Sequence, residues 1–245
     1  METKRQHIPW VSAVIVAAGF STRMKIKGKS SSKQLLTLKG IPLLVRTLKI
    51  FSHSPFIREI VLVIRREEEA FIHRMLKKYC PAISCRITFG GNTRQESVMH
   101  GVGACSAKTE YFAIHDGARP LTTQNEINQV ILLALQKGAA TLGVRVKDTI
   151  KAADGEGKIL FTPERSSLWA VHTPQVFEKS IYLRAAKQAE LEQKEYTDDC
   201  QLVEGIGAPV WISEGRYSNL KVTTEEDITI AEALLNLYED DGKDE

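Results

Sequence analysis

Short runs of β-branched and aliphatic residues alternate along the chain with longer stretches whose apolar positions recur every three or four residues. Val11–Ala17 (VSAVIVA), Glu59–Ile64 (EIVLVI), Cys85–Phe89 (CRITF), Tyr111–Ile114 (YFAI), Ala140–Val146 (ATLGVRV) and Pro209–Ile212 (PVWI) read as strands. Between them, Leu43–Phe51, Glu67–Tyr79, Arg94–Ala104, Gln124–Lys137 and Lys179–Gln193 carry the spacing of amphipathic helices. Strands that are apolar on both faces and alternate with helices predict an α/β fold. The expected sheet is doubly wound, mostly parallel and Rossmann-like, with helices on each side.

Three helix starts are marked by a threonine three residues before a glutamate: Thr93 and Glu96, Thr123 and Glu126, Thr223 and Glu226. These acids are read as capping groups. The segment 147–165 breaks the rhythm, with strand-like DTIKA and KILFT around Asp154-Gly155-Glu156-Gly157. That is a hairpin pattern, the glycines supplying the turn. A two-stranded ribbon is marginal by itself, so a partner subunit is expected to support it. The 245 residues are read as one domain with a dimerisation arm at 147–165.

Composition narrows the possibilities. Hydrophobic residues at 43% suffice for a buried core, and a formal charge of +3 is too small to make nucleic acid the expected partner. Four cysteines form no CxxC pair, which suits free thiols in a reducing compartment. The first ten residues lack the apolar stretch of a signal peptide, and no run approaches the ~20 apolar residues of a membrane span. A cytoplasmic protein, with no membrane partner, is expected.

In a doubly wound sheet, ligands bind beyond the carboxyl ends of the strands, so the loops there are the candidates. The first is Ala17–Met24 (AAGFSTRM), whose small residues can close backbone N–H groups around phosphate while Arg23 adds a planar charged fork. It matches neither GxGxxG nor GxxxxGK[ST]. Lys25, Lys27, Lys29 and Lys33 follow, readable as a solvated loop or as a lid over polyphosphate. Gly90–Ser97 (GGNTRQES) opens a helix, a place for an anion or a base edge, or simply a capped turn. Asp116, in HDGARP, ends an apolar strand and could hold a divalent metal or a hydroxyl, or cap its turn.

AAGFSTRM at 17–24, SKQ at 32–34, GGNTRQESV at 90–98, HDGARP at 115–120, TPQVF at 173–177 and NLKVTTEEDITIAEALL at 219–235 together resemble the 2-C-methyl-D-erythritol 4-phosphate cytidylyltransferases of the non-mevalonate isoprenoid pathway. The related ribitol-5-phosphate cytidylyltransferases share much of the pattern and are the alternative. The resemblance implies transfer of a cytidylyl group from CTP to a polyol phosphate with Mg²⁺, in a homodimer whose arms complete shared active sites. It implies that Ala17, Ala18, Gly19, Arg23 and Lys33 meet the triphosphate, and that Gly91, Arg94 and Ser97 meet the cytosine. Asp116 would lie near the diol and the metal. Thr149, Arg165, Thr173, Thr197 and Lys221 would hold the substrate, with Arg165 and Lys221 orienting the nucleophile. Arg23, Lys33, Arg165 and Lys221 are thus the catalytic candidates. Ser32 stands where the family usually has proline, and the Arg23-to-Lys33 loop is longer than usual. Ser21 and Gly117 replace a common glycine and alanine. The attacking phosphate is already an anion, so no general base is required, and His115 is expected to pack or bond locally.

Two other classes fit less well. A dinucleotide-dependent oxidoreductase needs the missing glycines and an acid about twenty residues beyond the loop, and 37–46 has none. A nucleotide-binding regulator would not need Arg23, Lys33, Asp116 and Lys221 together.

Overall fold

The computed structural model describes residues 9–19 and 36–241. In chain order its strands are β1 (Val11–Val16), β2 (Thr37–Leu38), β3 (Ile41–Pro42), β4 (Ile57–Ile64), β5 (Arg86–Phe89), β6 (Tyr111–Asp116), β7 (Ala139–Arg145), β8 (Ala152–Ala153), β9 (Ile159–Phe161), β10 (Trp169–Glu178) and β11 (Trp211–Glu214). Its α-helices are α1 (Leu43–His53), α2 (Glu69–Tyr79), α3 (Arg94–Gly103), α4 (Gln124–Lys137), α5 (Lys179–Leu191), α6 (Asp199–Glu204) and α7 (Glu225–Asp241).

The main sheet has the order β11-β7-β10-β6-β1-β4-β5. β1 pairs in parallel with β4 and β6, β4 with β5, and β7 with β11, whereas β10 runs antiparallel between β6 and β7. The expected mostly parallel sheet is therefore present, and it carries one reversed strand. That strand was not expected from its sequence, for physical reasons. Its first half is largely solvent-facing, Pro174 donates no backbone hydrogen bond, and the pairing to β7 shifts between Val171 and Gln175.

Alternation of side chains along each strand divides the core between the two faces. Val11, Ala13 and Ile15 of β1 pack with α1, α2 and α4, while Val14 packs with α3, α5 and α6. A third apolar cluster lies under α7, where Val222 and Ala231 meet Leu38 and Leu43.

The starts of α3 and α4 follow the sequence closely. Thr93 accepts from the N–H of Glu96, and Thr123 and Glu126 form a reciprocal capping box. At α7 the expected pair is displaced by one residue. Thr224 Oγ1 accepts from Asp227 N, and the Asp227 carboxylate takes Thr223 N, Thr223 Oγ1 and Thr224 N. Asp227 wins over Glu226 because it satisfies three donors at once. The last strand is Trp211–Glu214 rather than Pro209–Ile212, and α6 was not anticipated.

The hairpin forms with shorter strands than the sequence pattern gave, β8 against β9. Asp154 Oδ1 closes its turn by accepting from Glu156 N and Lys158 N, and Gly157 takes φ +86. Ile159, Leu160 and Phe161 are each more than half exposed on it. All four cysteines are free thiols, and no described helix is long and apolar enough to cross a membrane.

Candidate active site

β1 and β6 end level with each other, Val16 opposite Asp116 in the parallel ladder. The chain segment Ala17–Gly19 and the Asp116 carboxylate therefore leave the sheet at one edge. Asp116 is buried at 7% exposure, and three cations converge on it. Lys221 Nζ lies 2.8 Å from Oδ2, Arg119 Nε 3.6 Å from Oδ2, and Arg94 Nε 3.6 Å from Oδ1. Burial alone would raise the Asp116 carboxyl. Lys221, Arg94 and Arg119 outweigh that and hold it well below the usual carboxylate range. Oδ2 is taken by Lys221; Oδ1 has no hydrogen bond among the described residues and is the oxygen left for a ligand.

Arg94 is held from behind by a residue the sequence reading passed over. Its guanidinium lies 2.7 Å from Asp199 Oδ2, and Asp199 Oδ1 accepts from the buried Tyr182 hydroxyl at 2.7 Å. Burial would lower the Arg94 guanidinium, and Asp199 and Asp116 together raise it above its ordinary value. Gln175 of β10 accepts from Asp199 N and donates to Asp198, which caps α6. This ties the start of α6 to the sheet beside Asp116. Three cations face two carboxylates here, leaving the cluster net positive.

A second chain of bonds fixes Asp116 itself. Its N–H donates to Thr173 Oγ1, and the Thr173 hydroxyl meets His115 Nδ1 at 2.9 Å. His115 Nε2 faces the Arg119 carbonyl at 3.2 Å, which can only accept, so Nε2 carries the proton and Nδ1 accepts from Thr173. The ring packs on Phe51, and burial pushes His115 down to about 3. His115 is thus a neutral local strut. Arg119 donates to the Asn219 carbonyl, and Asn219 donates to the Thr173 carbonyl, so β10 and the 218–222 segment are locked together. Arg119 Nε and Ser218 Oγ are buried with no hydrogen-bond partner among the described residues.

The glycine pair in 90–97 has a steric reason. A Cβ on Gly90 would overlap Ala18 and Ser97, and one on Gly91 would overlap Glu96. Hydrogen at Gly90 lets the loop close against the end of β1, and hydrogen at Gly91 lets it turn over the start of α3. Ser97 Oγ accepts from Gly91 N at 3.1 Å, and Glu96 accepts from Asn92 N at 2.7 Å.

The structure thus brings Ala17, Ala18, Gly91, Arg94, Ser97, Asp116, Thr173 and Lys221 to the same edge of the sheet. Arg23 and Lys33 lie outside the described residues. Thr173 turns its hydroxyl inward to Asp116 N and His115, a framework position. Thr197 is exposed before α6 and donates to Gln201. Thr149 and Arg165 are exposed at the arm, where Arg165 donates to the Lys147 carbonyl; Arg165 makes no ion pair with Asp116 among the described residues. Among residues the sequence reading left out, Arg119 was within reach, since it lies in the quoted HDGARP. Asp199 and Tyr182 were not, because their importance depends on knowing that Arg94 is enclosed.

The described residues contain no group of three or more acids, histidines or cysteines that could hold a metal. Asp116 Oδ1 can supply one oxygen, which suits an ion such as Mg²⁺ that keeps waters and takes its other ligands from substrate phosphates.

Comparison with known proteins places the chain among relatives of one name. A relative from Caldanaerobacter subterraneus, named 2-C-methyl-D-erythritol 4-phosphate cytidylyltransferase, is 45% identical over 226 residues, covering 92% of this chain and 98% of its own. One of the same name from Geobacillus kaustophilus is 43% identical, covering 91% and 96%. Among solved structures, a 4-diphosphocytidyl-2C-methyl-D-erythritol synthase from Anaerococcus prevotii superposes with TM-score 0.83 at 31% identity, covering 93% and 96%. A 2-C-methyl-D-erythritol 4-phosphate cytidylyltransferase from Thermus thermophilus does so with TM-score 0.75 at 30% identity, covering 92% and 98%. The family model for 2-C-methyl-D-erythritol 4-phosphate cytidylyltransferase matches residues 11–237, and with the Asp116 cluster lying where such a fold binds its ligands, the chain belongs to that family.

Proposed function

We infer that the protein transfers the cytidylyl group of CTP to 2-C-methyl-D-erythritol 4-phosphate, releasing pyrophosphate, as a step in isoprenoid precursor synthesis. The observation that carries this is the Asp116 carboxylate ringed by Lys221, Arg94 and Arg119 at the sheet edge where Ala17–Gly19 begins.

The reaction brings two anions together. An oxygen of the substrate phosphate attacks the α-phosphorus of CTP, a new P–O bond forms, and the bond to the β-phosphate breaks opposite it. No proton has to be removed from the attacking group. The protein's part is positioning and charge stabilisation. Lys221, anchored on Asp116 and part-exposed, is suited to hold the attacking phosphate. Ser218 Oγ, three residues before Lys221 in the chain, is a donor without a partner among the described residues. Ala17, Ala18, Gly19, Arg23 and Lys33 would wrap the triphosphate, and Gly91, Arg94 and Ser97 the cytosine. The Asp116 carboxylate would accept from the diol and give one oxygen to a divalent cation arriving with the triphosphate. That cation supplies charge neutralisation across the phosphates. Thr173 would act through Asp116, and Thr197, exposed before α6, would reach the substrate from there.

The arm fits a homodimer. Ile159, Leu160 and Phe161 are apolar, adjacent and exposed, and the hairpin has little to support it within one chain. Thr149 and Arg165 would then serve the partner's site. A cytoplasmic location, where CTP and polyol phosphates occur, completes the reading. The test is pyrophosphate release with CTP, offering methylerythritol phosphate and ribitol phosphate side by side. Methylerythritol phosphate should give the higher kcat/KM, and the reverse order overturns the substrate assignment.

A further inference from the structure

A cavity of about 440 Å³ opens at the carboxyl ends of β1, β4 and β5. Ala18 and Gly91 line one part of it, and Arg65, Arg66, Phe89 and His100 line another. It is thus continuous with the residues assigned above to the nucleotide, on the side of β1 away from β6. Its lining takes in Ala18 and the glycine pair but not Gly19, from which the phosphate loop continues.

Two neighbouring arginines behave differently there. Arg65 is paired, 2.5 Å from Glu68 and 3.4 Å from Glu67. Arg66 is exposed and makes no ion pair among the described residues. Its guanidinium instead lies 4.0 Å over the Phe89 ring. The Phe89 carbonyl is itself held by His100 Nδ1 at 2.9 Å. The Arg66–Phe89 pair is therefore a flat cationic and aromatic wall, supported from two elements and facing a cavity beside the nucleotide loop. Guanidinium and aromatic planes both stack on nucleobases, and a stacked arginine keeps its donors free at its edge.

We propose that Arg66, seated on Phe89, is a nucleotide-binding residue that packs against the nucleoside of CTP. This rests on the cytidylyltransferase reading and adds to it a contact outside the family motifs quoted above. Such a contact is made to the nucleotide and not to the polyol phosphate, so it should alter CTP affinity and little else.

The test uses the full chain with Arg66→Ala and Arg66→Lys, with Arg58→Ala as a control at another exposed arginine. CTP affinity is measured by calorimetry with Mg²⁺ present, and turnover with methylerythritol phosphate. Arg66→Ala should weaken CTP binding roughly fivefold to tenfold, the loss of one stacking contact. Arg66→Lys should recover little of it, because an ammonium has no plane to stack. The kcat and the KM for the polyol phosphate should stay within about twofold of wild type, as expected for a uniform binding contact. Arg58→Ala should match wild type. Unchanged CTP affinity in Arg66→Ala, full recovery in Arg66→Lys, or a loss falling on the polyol phosphate each overturns the proposal. The two readings separate cleanly. Wild-type protein that binds CTP but releases no pyrophosphate sinks the reaction while the Arg66 result stands. Normal turnover with an indifferent Arg66→Ala sinks Arg66 alone, and wild-type protein that does not bind CTP sinks both.

Discussion

Asp199→Asn is the substitution that best separates the framework behind the site from the site itself. Asp199 sits at 3% exposure and accepts from both the Arg94 guanidinium and the Tyr182 hydroxyl at 2.7 Å. Asparagine keeps the shape but has one acceptor oxygen, and its amide turns a donor toward either Arg94 or Tyr182. Whichever way it turns, the Arg94 charge loses its nearer counter-ion and keeps only Asp116 at 3.6 Å. Breaking a buried pair from one side typically destabilises by about 3–5 kcal/mol. The Arg94 side chain is 29% exposed, so water recovers part of that, and the lower end of the range, about 3 kcal/mol, is the expected loss. For a chain of this size that is a fall in Tm of roughly 6–12 °C.

The functional effect comes through Arg94. Freed from Asp199, it can close the 3.6 Å gap to Asp116 Oδ1 and occupy the oxygen left for a ligand. A drop in kcat/KM of about tenfold corresponds to roughly 1.4 kcal/mol, well within the competition between two charged partners. Tyr182→Phe provides the contrast, since it removes a neutral donor and leaves the Arg94–Asp199 pair. It should destabilise by about 1.5–2 kcal/mol, the lower part of the range for a bond to a charged group, and leave kcat/KM near wild type. Thermal unfolding followed by circular dichroism, with turnover at a temperature where both variants are folded, reads the two effects separately. An Asp199→Asn variant with wild-type Tm would refute the claim that this pair carries the α3–α6 contact. Loss of stability without any change in kcat/KM would refute the link from Arg94 to Asp116.

Other consequences are open to test. Lys33→Ala and Arg23→Ala should each lower kcat about a hundredfold, roughly 3 kcal/mol, while weakening CTP binding far less; near-normal kcat in Lys33→Ala shifts the role to Lys25, Lys27 or Lys29. The buried His115 has its pKa lowered to about 3, against about 6.5 unfolded, so the unfolded state binds the extra proton between those values and stability falls as pH drops through 6.5. From pH 7 to 5 this contributes a loss of about 2 kcal/mol, and a folded His115→Gln variant should show a flatter Tm–pH profile over that range. An equally steep profile in His115→Gln would remove this histidine as the cause. Lys33→Ala and Arg165→Ala chains, each inactive, should complement when refolded together, since random pairing makes about half the dimers mixed and returns roughly a quarter of wild-type sites. If mixed dimers form and no activity returns, the two residues act within one chain.

Much of the fold was legible because the strands of the parallel core are buried on both faces and therefore read as uninterrupted apolar runs. Ile60–Ile64 and Ala13–Val16 are of this kind, and the helix between them keeps one apolar stripe. β10 was illegible for the opposite reason. It is half exposed, contains a proline, and changes register in its middle, so neither a run nor an alternation survives. In the site, the residues that the resemblance assigns to ligands stood in recognisable strings. The residues that hold them did not. Asp199 reads as one more acid in TDDC, and Tyr182 as one more aromatic in a helix. Their role exists only because α5 and α6 bring them behind Arg94, a contact between positions 105 residues apart.

The carboxylate at the centre of so many cations raises a question that charge counting alone does not answer. Arg119 and Lys221 would attract anionic substrates more strongly with no acid beside them at all. Without Asp116, however, the three cations gathered around it would repel one another. The lysine, the most mobile of the three, would swing outward. Asp116 draws the three inward to fixed points, and its own position is set by Thr173 from behind through the backbone N–H. A carboxylate also repels phosphate from its own volume, so a phosphate held by Lys221 or Arg119 would be kept to their far sides. Tight anion binding is thereby exchanged for orientation. For a reaction whose barrier lies in bringing one phosphate oxygen in line with another phosphate's leaving bond, orientation is the more useful of the two.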